Sequence, residues 1–414
     1  MAREMKDSGI EWIGEIPKEW KVIKVKKLFH IGRGRVISKL ELKENGYPVY
    51  SSQTKNNGIL GYIETYDFDK SQITWTTDGA NAGTVFLREG KYNCTNVCGT
   101  LLPKKENEKL KFIEFALKFI TPYYKRADIN GFKIMNNEMA EIPIIYPTLE
   151  EQEKIANYLD KKVTDIDLII EKTKATIEDY KKYKQSIITE AVTKGLNPNV
   201  EMKDSGIEWI GEIPKHWEIK KLKYVIELNP KVNIKNISEE SIVTFTPMDR
   251  IKNGYFINNK GIWKNNNSSY NNYQEDDIVM AKVTPCFENG NIAIMKNLYN
   301  NIGFGSSELF VLRSKNNIKN KYLFYFLRND IFKKLGKNSM TGAGGLKRVS
   351  SEFILNFSIT IPYLEEQQQI AEYLDKKVFE IDNLIAKKES LINEMEEYKK
   401  SLIYECVTGK KEIV

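Results

Sequence analysis

A chain of 414 residues, 41% hydrophobic and carrying 22 Tyr and 18 Phe, is long enough for two or three domains with real cores. Its formal net charge of +7 points to an acidic partner, while a total of two histidines, His30 and His216, all but excludes histidine-based triads and most transition-metal sites. Cys94, Cys98, Cys286 and Cys406 are too few for a disulfide framework, no apolar run approaches the roughly 18 residues of a membrane span, and the N-terminus lacks a signal peptide, so a cytoplasmic protein is expected.

In chain order, the segment from Met5 to Trp20 recurs from Met202 to Trp217 with one difference in 16 positions, Glu19 against His216. Trp12, Ile13, Ile16 and Trp20 make it an apolar hook that packs on something present twice. Next come short strands with Gly/Asn-rich turns, including Tyr47–Tyr50, Gln72–Trp75 and Thr84–Leu87, and a helix from Phe112 to Tyr124. Cys94 and Cys98 lack a second ligand pair and read as free thiols on strands. His30, in a Lys-rich strand-like stretch, and His216, at a tolerated surface position, read as structural.

The pattern changes between Leu149 and Lys194. Val163, Ile166, Ile170, Ile177, Tyr180, Ile187 and Ala191 form the seam of a coiled coil, interrupted at Thr173 and Lys184. Thr148 and Glu151 make a capping box, and Gly195 and Pro198 stop the helix. The second half repeats the plan. Strand-like Ile242–Phe245, Asp277–Ala281 and Asn291–Ile294 precede a helix from Lys321 to Lys334. Residues Leu364 to Gly409 then match the first helical stretch without a gap at an offset of 215. Their seam is Val378, Ile381, Ile385, Ile392, Met395, Leu402 and Cys406, interrupted at Lys388 and Lys399, and Tyr363 weakens the cap. The hooks are offset by 197, so the dissimilar segment between hook and helix is 18 residues longer in the second half. A helix of about 45 residues would be roughly 65 Å long. Connectivity makes the two helices antiparallel.

The expected class is α+β: two mixed α/β domains joined by two long antiparallel helices in a coiled coil, a pseudo-twofold repeat. The divisions are 1–17 and 197–214 for the repeated segments with their linker, 18–147 and 215–361 for the domains, and 148–196 and 362–414 for the helices. Charge is sorted among them. Residues 18–146 carry +7 and residues 215–361 carry +10, while the remainder carries −10. Polyanion binding therefore belongs to the domains.

No phosphate loop, amino-methyltransferase motif or recognisable nuclease centre is present, so a binding protein without catalytic residues or a metal site is expected. Polar, glycine-bearing loops can approach base edges without steric conflict. The candidates for DNA contact are Thr77, Asp78, Gly79, Asn81, Asn96, Asn130, Lys133 and Asn136 in the first domain. In the second they are Lys282, Thr284, Asn289, Asn291, Ser306, Ser307, Thr341, Lys347 and Arg348. A coiled-coil adaptor whose domains bind proteins, and a cryptic nuclease, are the rival classes.

Two dissimilar domains, each followed by Pro-x-Leu-Glu-Glu-Gln and a long helix with Ile-Ala-x-Tyr-Leu-Asp, resemble the specificity subunit of Type I restriction-modification enzymes, as do Asp7–Gly14 and Asp204–Gly211 ahead of each domain. The resemblance covers essentially the whole chain. It implies a non-catalytic subunit whose two target recognition domains each read half of an asymmetric bipartite DNA site, with the helices measuring the spacer. It also implies two modification subunits that carry S-adenosylmethionine and methylate adenine. Restriction subunits using ATP and Mg would be further partners.

Overall fold

The computed structural model describes residues 3–129, 131–233, 237–263, 270–343 and 345–413. Contacts divide the chain into two units, residues 1–174 with 389–414, and residues 175–388. Two helices run through both: a central helix, Leu149–Lys194, and a C-terminal helix, Leu364–Val407.

In the first unit a four-stranded antiparallel sheet has the order Phe29–Arg33, Cys98–Pro103, Gln72–Thr76, Val85–Arg88. Gln72–Thr76 is buried throughout, as a central strand covered on both faces must be. The helix Leu110–Tyr124 packs on it with Phe112, Ile113, Phe115, Ala116, Leu117 and Ile120 buried. A second sheet pairs Tyr47–Tyr50 parallel with Asn93–Cys94 and antiparallel with Ile59–Ile63. Lys21–Lys24 pairs with Pro143–Tyr146, closing the domain where the chain enters and leaves it. Cys94 and Cys98 lie on two of these strands as buried free thiols.

The second unit repeats this order with unrelated residues. Its four-stranded sheet runs Ile226–Leu228, Leu309–Ser314, Ile278–Ala281, Ile292–Ile294. Ile242–Thr246 pairs parallel with Ile302–Gly305 and antiparallel with Lys260–Ile262, and Asn271–Gln274 adds a fourth strand. Glu218–Lys221 closes against Ser358–Ile361. The domains that share so little sequence therefore share a strand plan. The expected single helix from Lys321 to Lys334 is two helices, Asn320–Leu327 and Asp330–Asn338. The break is chemical: the Asn329 side chain accepts from the Phe332 backbone N–H at 2.7 Å and starts a new helix.

Seam residues Ile166, Ile170 and Ile177, and Val378, Ile381 and Ile385, are buried. Two of the four polar interruptions have partners on the other helix: Lys184 Nζ lies 2.5 Å from Asp382 within the second unit, and Lys399 Nζ lies 2.5 Å from Asp167 within the first. In the second unit the chain climbs from Lys184 to Gly195 on one helix while their neighbours descend from Asp382 to Glu366 on the other. In the first, Tyr158 lies beside Lys411 and Asp167 beside Lys399. The helices therefore run antiparallel in each unit. Thr173 buries its hydroxyl by donating to the Ile169 carbonyl at 2.7 Å. The central helix opens on the expected capping box, Thr148 and Glu151 each bonding the other's backbone N–H at 3.2–3.3 Å.

The hooks clasp the ends of these helices. Trp20 Nε1 donates to Glu151 at 3.1 Å in the first unit, and Trp217 Nε1 donates to Glu366 at 3.0 Å in the second. Arg3 joins Trp20 on Glu151, but the equivalent second-unit position is Val200, which has no hydrogen bond to give from its side chain. There His216 supplies the missing partner, 2.9 Å from Glu366. The single difference between the hooks is thus compensated at the same carboxylate, and His216 is more than a tolerated surface position. Each hook also abuts the glycine that ends the opposite helix. Gly195 has φ +77° beside Trp217, and Gly409 has φ +74° beside Pro17 and Trp20. A Cβ on Gly409 would stand 2.5 Å from Pro17 Cδ and 2.9 Å from Trp20 Cζ3. Gly409→Ala is expected to destabilise the first unit by about 1–3 kcal/mol, combining left-handed strain with overpacking. Urea unfolding followed by tryptophan fluorescence measures this; an unchanged midpoint contradicts the packing described.

Candidate nucleic-acid interface

In the first unit the candidate loops converge because a small sheet joins them. Arg126–Asp128 and Gly131–Lys133 form a hairpin, and its second strand pairs with Asp78–Gly79, Phe132 opposite Gly79 and Lys133 opposite Asp78. Asn96 joins through Arg33, which sequence reasoning passed over, and Asn136 through the adjacent Gly32. The Arg33 guanidinium donates to the Asn96 carbonyl and to Thr77 Oγ1 at 3.2 Å, and stands 3.8 Å from Asp78. Asn136 Nδ2 donates to the neighbouring Gly32 carbonyl at 3.2 Å, leaving its buried Oδ1 without a partner.

Thr77 is fully buried and supports the turn rather than facing solvent. Asn81 is half-buried, its Nδ2 donating to the Ser52 carbonyl at 3.0 Å. Lys133 is half-buried, 2.7 Å from Asp128, and its hydrogen bond holds that carboxyl below the usual range. Asn130 lies outside the described residues. The Gly32-Arg33-Gly34-Arg35 run was the available signal for Arg33, two cations presented on a strand end by residues without side chains.

The second unit assembles its candidates at the corresponding place. Arg348 bridges both Val283 and Thr341, so it holds the position that Lys133 holds in the first unit, 215 residues earlier. Thr284 binds the loop twice: its Oγ1 donates to the Gly345 carbonyl at 2.8 Å and accepts from the Lys347 N–H at 3.0 Å. Arg348 donates both Nε and Nη2 to Glu308 at 2.8 Å, a bidentate pair. Glu308 was missed by sequence reasoning although it follows Ser306-Ser307. Its backbone N–H is capped by Ser306 Oγ at 3.1 Å, and its carbonyl accepts from the Lys282 N–H at 3.0 Å. Ser307 is exposed beside it.

Asn289 and Asn291 sit on a separate turn. The Asn289 carbonyl accepts from Asn253 Nδ2 at 3.3 Å, and Asn253 Oδ1 in turn accepts from the buried Arg328 at 3.3 Å. Seven of the nine second-unit candidates thus share one neighbourhood, and these two stand on another. Hydrogen bonding from Arg348 holds the Glu308 carboxyl below the usual range. With its folded pKa depressed, that pair contributes stability above the ordinary carboxylate pKa and loses it as pH falls through the lowered value.

Among the described residues no group of His, Cys, Asp and Glu could hold a metal ion. Among the described residues no helix is long and apolar enough to cross a membrane. The two clusters offer cations, amides, hydroxyls and a carboxylate held by a cation in each, Asp128 in the first and Glu308 in the second, an assortment for hydrogen-bonding to base edges and phosphates.

The profile described as Type I restriction modification DNA specificity domain matches twice, over residues 17–179 and 214–397. A Mycoplasma pneumoniae protein described as a putative type I specificity subunit N-terminus is 44% identical over 142 residues, which is 34% of this chain and 76% of that protein. The Type I restriction enzyme MpnII specificity subunit of the same organism is 36% identical over 190 residues, 44% of this chain, and the match spans 57% of that subunit. A solved chain from work on complex assembly and conformational transition of the type I R-M system has the same fold, with TM-score 0.71, 13% identity, and coverage of 96% of this chain and 99% of that one. With two profile matches spanning most of its length, the chain belongs to the family of Type I restriction-modification specificity subunits.

Proposed function

We propose that each unit reads one half of an asymmetric, bipartite duplex DNA site, and that the long helices set the unspecified gap between the halves. The observation that carries this is the pairing of one strand plan with two different sets of presented side chains. Lys133 pairs with Asp78 in one unit where Arg348 bridges Val283 in the other, and the neighbours differ too, Arg33 standing 3.8 Å from Asp78 while Glu308 clamps Arg348. A shared scaffold with unlike readers fits a non-palindromic target whose halves are recognised independently. The repeated hooks and helices offer one surface twice, which suits two modification subunits. Those subunits would carry S-adenosylmethionine and perform adenine methylation on a base flipped from the stack. Restriction subunits with ATP and Mg would be additional partners, and this chain would contribute no catalytic group. Footprinting of the chain assembled with its modification subunits tests the proposal. Two protected patches with an indifferent gap are expected, and a single continuous site would overturn it.

Within this account Glu308 restrains Arg348. Glu308→Gln removes one negative charge and half of the bidentate clamp, so affinity for any duplex should rise several-fold. The dependence of log K on log salt should steepen by about one unit while discrimination between sites falls. Titrations at several salt concentrations measure this, and an unchanged slope would mean that Arg348 does not reach phosphate even when released.

A further inference from the structure

An arginine guanidinium has two hydrogen-bonding edges. Nε and Nη2 share the side edge, and Nη1 with Nη2 forms the end edge, a fork of parallel N–H groups. In both reading clusters an arginine has its side edge taken by protein. In the first unit Arg33 Nε donates to the Asn96 carbonyl, and Nη2 donates to Thr77 Oγ1 at 3.2 Å. In the second, Arg348 Nε and Nη2 both donate to Glu308 at 2.8 Å. Among the described residues nothing bonds Nη1 of either arginine, and the two side chains remain 35% and 44% exposed.

The groups that hold them are themselves fixed. Thr77 is fully buried, its N–H donating to the Val97 carbonyl at 3.0 Å and its carbonyl accepting from Ile134 at 2.9 Å. Its hydroxyl donates to Asp78 at 3.1 Å, which leaves the oxygen to accept from Arg33. A Cβ on Gly32 would stand 2.7 Å from Thr100 Oγ1, and one on Gly34 would stand 2.2 Å from the Cys94 carbonyl oxygen, so the backbone on either side of Arg33 is closely packed. Glu308 is pinned through Ser306 and Lys282. A cation that serves phosphates as a point charge gains from reach, and a carboxylate beside it weakens the attraction. A fork that must meet two acceptors on one base gains from being held.

Resting on the DNA-reading proposal above, we infer that Arg33 and Arg348 are guanine readers, each directing its end fork at O6 and N7 of one guanine in the major groove of its half-site. Guanine presents two acceptors side by side there, whereas adenine sets an amino donor beside its acceptor, which an all-donor fork rejects. Arg33 ends the strand Phe29–Arg33, and Arg348 lies on the bridge to Val283, so these are two separate solutions and not one repeated residue. Each half-site must then contain a G·C pair.

The test uses the full chain assembled with its modification subunits and a duplex carrying its mapped target. Each guanine is replaced in turn by 7-deazaguanine, which lacks N7, or by inosine, which keeps O6 and N7 and loses only the minor-groove amino group. At one guanine in each half-site, 7-deazaguanine should weaken wild-type binding about tenfold with an unchanged salt slope, and inosine should not. Arg33→Gln should bind the natural target about tenfold more weakly or worse. It should lose nothing further on 7-deazaguanine at its own guanine and respond like the wild type at the other half-site. The charge-matched double substitution Arg348→Gln with Glu308→Gln should do the same at the other half-site only.

The wild-type scan asks nothing of a variant's folding. The inference is overturned by a mapped half-site made only of A·T pairs, by a target whose guanines all tolerate 7-deazaguanine, or by variants that keep the wild-type sensitivity at both half-sites. A salt slope reduced by about one unit in Arg33→Gln would equally overturn it, since that arginine would then have contacted phosphate. A wild-type complex with no preference for the target over a scrambled duplex would instead sink the recognition proposal itself.

Discussion

Exchanging residues 18–147 for the matching segment of another family member is expected to change one half of the recognised sequence and leave the other half and the gap as they were. The segment carries its own closure, because Lys21–Lys24 and Pro143–Tyr146 pair with each other inside it. Its reading cluster is also internal, since Arg33, Thr77, Asp78, Asn96, Lys133 and Asn136 are joined by bonds that stay within the segment. What crosses the joints can be named. Trp20 bonds Glu151, Glu19 pairs with Arg3, Lys109 lies 2.7 Å from Glu153, and Lys111 lies 2.9 Å from Asp160. Trp12 stacks on Tyr123 with ring centroids 4.3 Å apart, and Phe119 meets Tyr404 at 5.1 Å. A graft that retains Glu19, Trp20, Lys109, Lys111, Phe119 and Tyr123 should therefore seat normally. Each exposed ion pair contributes at most about 1 kcal/mol. Burial of the Trp20 ring dominates, and truncating it to Ala would cost about 3–5 kcal/mol. Mapping of methylated positions reads the outcome directly. Change in both halves would mean that the units do not read independently.

Lengthening both long helices by one matched heptad should alter the gap alone. Seven residues add about 10 Å of helix at 1.5 Å per residue, close to three base pairs at 3.4 Å each. The insertion must be made in both helices. The Lys184–Asp382 and Asp167–Lys399 pairs hold the same antiparallel register, and lengthening one helix would force one of them apart. A heptad also preserves the apolar seam, which a shorter insertion would rotate away from its partner. The expected product methylates a site with unchanged half-sequences and a gap about three base pairs longer. Unchanged spacing would show that the helices do not measure it, and loss of all activity in the single-helix insertion alone would agree with the coupled register.

How far the residues themselves foretold this structure depended on the range of the interactions. Periodicity, caps and repeats are local, so the central helix begins at Leu149 and ends at Lys194 as expected. Strands such as Tyr47–Tyr50 and Ile242–Thr246 fall where β-branched and aromatic residues placed them. The break at Arg328–Asn329 was missed because Asn reads as a weak helix former until its side chain is seen capping Phe332. The shared strand plan was hidden, since topology depends on which strands pair and not on which residues fill them.

The candidate loops came from composition. That selected polar turns but could not tell the fully buried Thr77 from the more open Asp78. Arg33 and Glu308 matter only through partners 44 and 40 residues away in sequence, a distance at which no local pattern operates. The correspondence of Lys133 with Arg348 was within reach, because their offset of 215 is that of the helices.

Sequencing of methylated positions in cells with and without this chain bears most directly on the pairing of unlike readers. The expected result is one motif, dependent on the chain, made of two short unrelated sequences around a gap of fixed length and indifferent composition. A continuous motif, or one whose halves repeat each other as a palindrome, would contradict it.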